Sequence, residues 1–518
     1  MIEIDTIVPQ AGQSLLSAAL QRVAQSRPDQ PALSFQGRPL SHADFAAQIR
    51  RTRAHLVHWG VRPGDRVACL AWGHPLQLAT LLALTEIGAI WVPLNFRLAA
   101  AEWQQVLADC QPALLLADEG WWHPATELAH ASGVPLHRLD QLDTPLKQAE
   151  QGAASGPIAA DPDAPALLVY TSGTTGRPKG AIHTVGNLLA NARAAIAAQC
   201  LTPADRVLTM LPLFHVGGLC IQTLPALLAG ASVVLHPRFD PDAVWRDLSQ
   251  EHITLTLMVP AVMKAVIEHP AFDHTPLPHL RAIWAGSSVL PDHLLAAWHH
   301  KGIPVCNVYG ATETGPFSIA LGPEHARSHI GSCGWPAPGV QAQLAHRNAD
   351  GVGEVCLRGA AIVSRYWPDQ PALDDQGWFH TGDLARIEAD HSWRIVGRAK
   401  DMIISGGENI YPAEIEQLLA RHPAVAECAA IGLPDPRWGE QLVAVVVFKA
   451  ATSAPEDELL AEVRQNLARY KHPRRLLVLP QLPKTALGKV QKDLLVRQLS
   501  APPAGTAATP SANSPRSP

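Results

Sequence analysis

RVACLAWGHPLQLATLLALTEIGAIWVPLN, residues 66–95, decides the fold. RVACLAW (66–72) and GAIWVPLN (88–95) are unbroken apolar runs of strand length, and PLQLATLLALTE (75–86) between them has the length of a helix. Strands joined by a helix run parallel, and an apolar run without alternation marks a strand covered on both faces. The reading is therefore a βαβ unit of a doubly wound α/β sheet. The pattern returns after residue 200: RVLTMLPL, ALLAG and ASVVLHP, a helix near 241–251, then ITLTLMVP. Upstream, SLLSAALQRVAQSR (14–27) has helical periodicity, and Ser41 with Asp44 forms a capping pattern for a helix through 60. The texture changes after about 398. PAEIEQLLARH (412–422), AVAECAAIGL, LVAVVVFKA and EDELLAEVRQNLARY read as a compact α+β domain. The expected fold is α/β: a large multi-layer N-terminal domain with doubly wound sheets, 1–398, and a small C-terminal domain, 399–500. Residues 501–518, nearly all Ala, Pro, Ser, Thr, Gly and Asn, are expected to be a disordered tail.

Bulk properties narrow the function classes. The 518 residues are 47% hydrophobic and 17% charged, with net charge −5 and pI near 6.6. Such a chain has no general attraction for nucleic acid or anionic lipid. The apolar windows 78–94 and 218–235 are broken by Glu86, Gln222, Pro225 and Gly230, so no stable membrane insertion is expected. Glu3 and Asp5 do not suit a signal peptide, and eight scattered cysteines suit a cytoplasmic protein with reduced thiols.

Four segments carry candidate chemistry. YTSGTTGRPKG (170–180) follows an apolar strand and is rich in glycine and hydroxyls, a composition that can wrap a polyphosphate, with Lys179 adding a positive charge. It lacks the spacing of a Walker A loop. VYGATETG (308–315) sets an aromatic plane, a hydroxyl and a carboxylate close together. GWFHTGDLARIEADHSWRIVGRAKDMIISGGENIYPAEIE (377–416) places Asp383 after a Thr-Gly turn and Lys400 at the composition boundary. PKTALGKVQK (483–492) is a basic turn. Each alone reads more readily as an ordinary loop or surface feature.

Together and in this order, they resemble the ANL superfamily: acyl- and aryl-CoA synthetases, peptide-synthetase adenylation domains and firefly-type luciferases. The resemblance spans about residues 14–497. It implies a large nucleotide- and acid-binding domain, a hinge and a mobile lid domain. By resemblance, Thr171, Ser172, Gly173, Thr174, Thr175, Gly176 and Lys179 would line the ATP phosphates. Gly286, Tyr309 and Gly310 would lie along the nucleotide, with Tyr309 near adenine. Thr312 would touch the α-phosphate, Glu313 would ligate Mg2+, and Asp383 and Arg398 would hold the ribose. Lys400 would be the hinge, and Lys489 would stabilise adenylate formation. A rotation would then replace the Lys489 loop by Ser405–Asn409, with Gly406 and Gly407 leaving room for the pantetheine arm of coenzyme A.

The acid pocket is expected from 211–219, 282–288 and 307–310, with Phe214, Gly217 and Trp284 as walls and His215 gating or orienting the carboxylate. Glycines 217, 218, 286 and 310 are read as leaving volume. Phe214 and His215 stand where amino-acid-activating relatives carry an aspartate, so an amino acid is not expected. No arginine falls in these windows, which argues against a short dicarboxylate. The implied activity is ligation of an apolar fatty or aryl acid to coenzyme A, with ATP and Mg2+, through an acyl-adenylate. Loading of a carrier protein is the alternative, and a homodimer is a possible assembly.

Overall fold

The computed structural model describes residues 14–146, 161–172, 178–286, 290–405, 408–485 and 488–500. The chain divides into two compact units, Met1–Val396 and Gly397–Pro518.

In the larger unit, the strand Arg66–Leu70, the helix Pro75–Ile87 and the strand Ile90–Pro93 form the βαβ unit read from the sequence, with Arg66 opposite Ile90 in a parallel pair. The helix starts at Pro75, whose missing N–H costs nothing there, and stops at Gly88 in a left-handed conformation. All but one of its residues are buried, because it lies in a central layer. That layer joins two large sheets. One runs in the order Trp335–Pro336, Ile319–Leu321, Val305–Tyr309, Ala282–Gly286, Leu255–Met258, Arg206–Thr209, Ser232–Leu235, Pro31–Phe35, Arg38–Ser41. The other runs Gln370–Pro371, Arg365–Tyr366, Pro178–Thr184, Pro165–Ser172, Ile90–Pro93, Arg66–Leu70, Leu114–Ala117, Leu136–Arg138. Val207, Val233 and Trp284 of the first sheet share one core with Val67, Trp91 and Leu167 of the second and with the helices between them. The opposite face of the first sheet packs on the helices 241–250, 260–267 and 292–300. That of the second packs on 100–110 and 122–132. The result is alternating layers of helix and sheet, each sheet covered on both faces as its apolar runs require. A four-stranded antiparallel sheet, Val340–Ala345, Gly353–Gly359, Phe379–Ile387 and Trp393–Arg398, follows.

Local signals hold well. Ser41 Oγ accepts from the Asp44 N–H at 3.1 Å and donates to the Asp44 carboxylate at 2.7 Å, capping the helix His42–His58. One element differs. A helix was expected only at ALLAG, but helical structure begins at Val216 and passes through a π-helical stretch, Leu219–Thr223, before Leu224–Ala229. The vicinal glycines 217 and 218 hid the start, which His215 caps.

The smaller unit holds the helix Pro412–Leu419, the antiparallel strands Val425–Asp435 and Gly439–Phe448, and the helix Glu456–Asn466. Leu418, Val446, Leu459 and Val463 close its core. The composition-biased stretch 501–518 lies outside the described residues.

Among the described residues no helix is long and apolar enough to cross a membrane.

Candidate active site

Two antiparallel strands flank the glycine-rich segment. The strands Pro165–Ser172 and Pro178–Thr184 pair Tyr170 with Gly180, Thr171 with Lys179 and Ser172 with Pro178. Gly173, Thr174, Thr175 and Gly176 lie outside the described residues, as do Gly406 and Gly407. The Thr171 hydroxyl donates to the Lys179 carbonyl at 3.4 Å. The Lys179 ammonium stands 5.3 Å from the centroid of the Tyr366 ring, a cation–π contact. Tyr170 turns the other way and donates its hydroxyl to Asp109.

Glu313 completes this cluster. Its segment, Thr312–Thr314, is one 3-10 turn after the strand Val305–Tyr309, held by the Ala311 N–H donating to the Thr314 hydroxyl at 2.8 Å. Glu313 accepts the Val363 N–H at its backbone carbonyl, 2.9 Å, and the Tyr366 hydroxyl at its carboxylate, 3.1 Å. Burial, then the negative charge of Glu313, pushes the Tyr366 phenol well above its ordinary pKa, so it remains a donor. The structure thus brings Lys179, Tyr366 and Glu313 together; Thr312 is adjacent and half-buried. Tyr366 was missed in the sequence.

Behind the turn lies His183, fully buried, its two ring nitrogens without a well-formed hydrogen bond. Burial lowers its pKa to about 4, with the Thr312 backbone partly offsetting the shift. His74 and His215 are also lowered to about 4, mainly by burial. In the unfolded chain these three rings bind protons near pH 6.5, but in the folded chain only near 4. The unfolded state therefore binds more protons across this window, and stability falls as pH drops from about 6.5 to 4. Replacing His183 with leucine should make that slope shallower in denaturant melts at stepped pH. An unchanged slope would mean that the ring is not held neutral.

A second pair binds two sheets together. The Tyr309 hydroxyl donates to Asp383 at 2.8 Å, and Asp383 is only 7% exposed. The turn before it is anchored twice: Gly382 N–H donates to Glu354 at 3.0 Å, and the Thr381 hydroxyl donates to the Val355 carbonyl at 2.8 Å. Burial first and the Asp383 charge second hold the Tyr309 phenol protonated. An aromatic face and a carboxylate fixed side by side suit a nucleoside, one by stacking and the other by accepting hydroxyls.

The expected acid-pocket walls fall in different layers. Phe214 packs edge-on to Phe96, centroids 4.9 Å apart, in the aromatic cluster with Trp72 and Trp121. Trp284 is fully buried in the central core against Phe317, with its indole N–H unpartnered. His215 is half-buried, and its Nδ1 accepts the Gly217 N–H at 3.0 Å, so its proton is on Nε2. One expectation needs correction. A Cβ at Gly286 would stand 2.4 Å from the Val308 carbonyl oxygen, and one at Gly310 2.1 Å from that of Pro316. Those glycines permit close backbone approach and do not open pocket volume. An arginine outside the windows 211–219, 282–288 and 307–310 does act on His215. Arg97, from the loop after the strand Ile90–Pro93, sits above the Phe96 ring at 5.7 Å, and its charge helps depress the pKa of His215.

In the smaller unit, Lys400 forms an exposed ion pair with Asp493, 3.1 Å, and Arg398 is half-buried. Lys489 is exposed on a tight turn, its carbonyl accepting the Thr485 N–H at 2.7 Å and its own N–H donating to the Thr485 hydroxyl at 3.2 Å.

Residues 20–367 match the family model of the AMP-binding enzyme, and 414–489 that of the AMP-binding enzyme C-terminal domain. The chain belongs to the AMP-binding enzyme family. Within the ANL superfamily it falls in the acyl- and aryl-CoA synthetase branch. It is 41% identical over 502 residues to an indoleacetate–CoA ligase of Aromatoleum aromaticum, covering 94% of this chain and 98% of that one. It is 39% identical over 489 residues to a feruloyl-CoA synthase of an Amycolatopsis species, covering 92% and 97%. The structure of o-succinylbenzoate CoA synthetase from Bacillus subtilis, in complex with the acyl-adenylate intermediate OSB-AMP, superposes with a TM-score of 0.83 at 30% identity, covering 94% and 98%. The AMP-binding enzyme architecture is thus the α/β frame described above, with a large N-terminal and a smaller C-terminal part.

Proposed function

We propose that the substrate of this AMP-binding enzyme is an aryl or arylalkyl carboxylic acid. The enzyme is an ATP-dependent acid–CoA ligase acting through an acyl-adenylate, with Mg2+ as its metal. In the first step an acid oxygen bonds to the α-phosphorus as the bond to pyrophosphate breaks. In the second, the CoA thiolate bonds to the acyl carbon and AMP leaves.

The Lys179–Tyr366–Glu313 cluster, with the Tyr309–Asp383 pair on the same unit, carries the nucleotide assignment. Bringing a carboxylate to a triphosphate opposes like charges, so the work is alignment and charge neutralisation. Lys179 supplies a cation beside the strand arm where the phosphates are proposed to bind. The Glu313 carboxylate is a hard oxygen donor, the class that suits Mg2+ shared with phosphate oxygens, and Tyr366 fixes its orientation. Mg2+, when bound, supplies neutralisation of the triphosphate charge. His215, neutral at working pH, can donate from Nε2 to an acid carboxylate without adding charge. Thr312, Arg398, Lys400, Lys489, Gly406 and Gly407 keep their proposed roles in phosphate contact, ribose contact, hinge, adenylation and CoA channel.

The names of the aryl-acid relatives and the aromatic pair Phe214–Phe96 support the aryl class. Arg97 favours a second reading, an acid bearing a further anionic group. The test is pyrophosphate release with ATP and Mg2+, with and without CoA, across indole- and phenylacetates, hydroxycinnamates, benzoates, C4–C16 fatty acids, and dicarboxylates. CoA-dependent turnover is expected to be highest for the monoanionic aryl acids. Preference for dicarboxylates that is lost in Arg97→Ala would favour the second reading. Preference for fatty acids would refute both. We further propose cytoplasmic residence, supported by the eight free cysteines.

A further inference from the structure

The four-stranded sheet carries a side-chain cluster that the ligase chemistry does not use. Cys356 and His380 stand directly opposite each other on the strands Gly353–Gly359 and Phe379–Ile387, and Glu354 lies two residues before Cys356 on the same face. One ligand atom from each of Glu354, Cys356 and His380 lies within 4.8 Å of the other two. Cys356 Sγ is 3.4 Å from His380 Nδ1, and that nitrogen is 3.0 Å from a Glu354 oxygen. Tetrahedral zinc, with bonds of about 2.0–2.3 Å, separates its ligand atoms by roughly 3.3–3.8 Å, so small side-chain shifts suffice.

The surroundings are organised as metal sites require. A ligating histidine is oriented by a carboxylate on its other nitrogen, and here His380 Nε2 meets Asp374 at 3.2 Å. Asp374 is itself fixed, accepting the N–H groups of Gln376 at 2.9 Å and Trp378 at 2.8 Å. The second oxygen of Glu354 is taken by the Gly382 N–H, leaving the first for the ion. Thiol sulfur, imidazole and carboxylate together select a borderline-soft ion over Mg2+.

We propose that Glu354, Cys356 and His380 bind a divalent ion of the zinc class, oriented by Asp374, with a fourth position left to water. Binding expels the Cys356 thiol proton and any proton on His380 Nδ1, giving a thiolate and a neutral imidazole as ligands. The ion clips two strands immediately before the Thr381–Asp383 turn, bracing the carboxylate that holds Tyr309.

Co2+ titration of the chelator-treated full chain tests this. One equivalent should produce a saturable near-ultraviolet thiolate-to-cobalt band, displaced by Zn2+ but not by Mg2+. The band should vanish in Cys356→Ser and survive in Cys200→Ser, which alters an exposed cysteine elsewhere. His380→Gln keeps the thiol and changes an exposed side chain, so it serves should Cys356→Ser fold poorly; it should weaken Co2+ binding at least tenfold. No saturable band in the unaltered chain, or a band that persists in both site variants, would overturn the proposal and leave a hydrogen-bonded ion pair.

Discussion

Lys489→Ala is expected to slow acyl-adenylate formation by about 10²–10³-fold, the usual effect of removing one donor aimed at developing charge. Conversion of supplied acyl-AMP and CoA to thioester should remain largely intact. The reasoning is electrostatic. Lys489 stands exposed on a hydrogen-bonded turn. Its charge is useful only while the carboxylate and the phosphate approach each other; the second step begins from an adenylate and needs space for a thiol. Two half-reaction assays, pyrophosphate release and thioester formation from synthetic acyl-AMP, separate these effects. Equal loss in both would sink the exchange of the Lys489 loop for the 405–409 loop.

Glu313→Gln should be nearly as damaging. Glutamine keeps an oxygen for the Tyr366 hydroxyl, so the turn retains its bond and only the charge is lost. Adenylation should fall by about 10²-fold or more, and the Mg2+ concentration needed for half-maximal rate should rise. Tyr366→Phe removes the hydrogen bond but not the charge and should cost about 1 kcal/mol, several-fold in rate. Pyrophosphate release measured across a Mg2+ series distinguishes the two. If Glu313→Gln shifts neither rate nor Mg2+ dependence, the carboxylate is a scaffold for Tyr366.

The fold was legible where local and global preferences agree. The apolar runs of 66–95 leave no solvent face, and a strand without one must lie inside a covered parallel sheet. The residues proposed for the site within a motif, such as Lys179, Glu313 and Asp383, stand out because several unusual residues lie close in sequence. Tyr366 does not, since it meets Glu313 across 53 positions and sits in an unremarkable Arg-Tyr-Trp stretch. Nothing near Arg97 in the sequence announces the effect of its charge on His215. Glycines misled differently, because a missing side chain reads as space whether solvent, substrate or a neighbouring carbonyl occupies it.

The Tyr366–Glu313 bond runs from a strand near the edge of the eight-stranded sheet to a turn between two strands of the nine-stranded one. Either sheet could acquire its own hydrogen bonds without bringing these two residues together. A chain trapped at that stage would show near-normal far-ultraviolet dichroism but would lack the proposed nucleotide site. If ATP binds at the proposed site, nucleotide binding is a sensor of sheet docking, and ATP added during refolding should raise the yield of this late step, since it rewards only chains that have completed it.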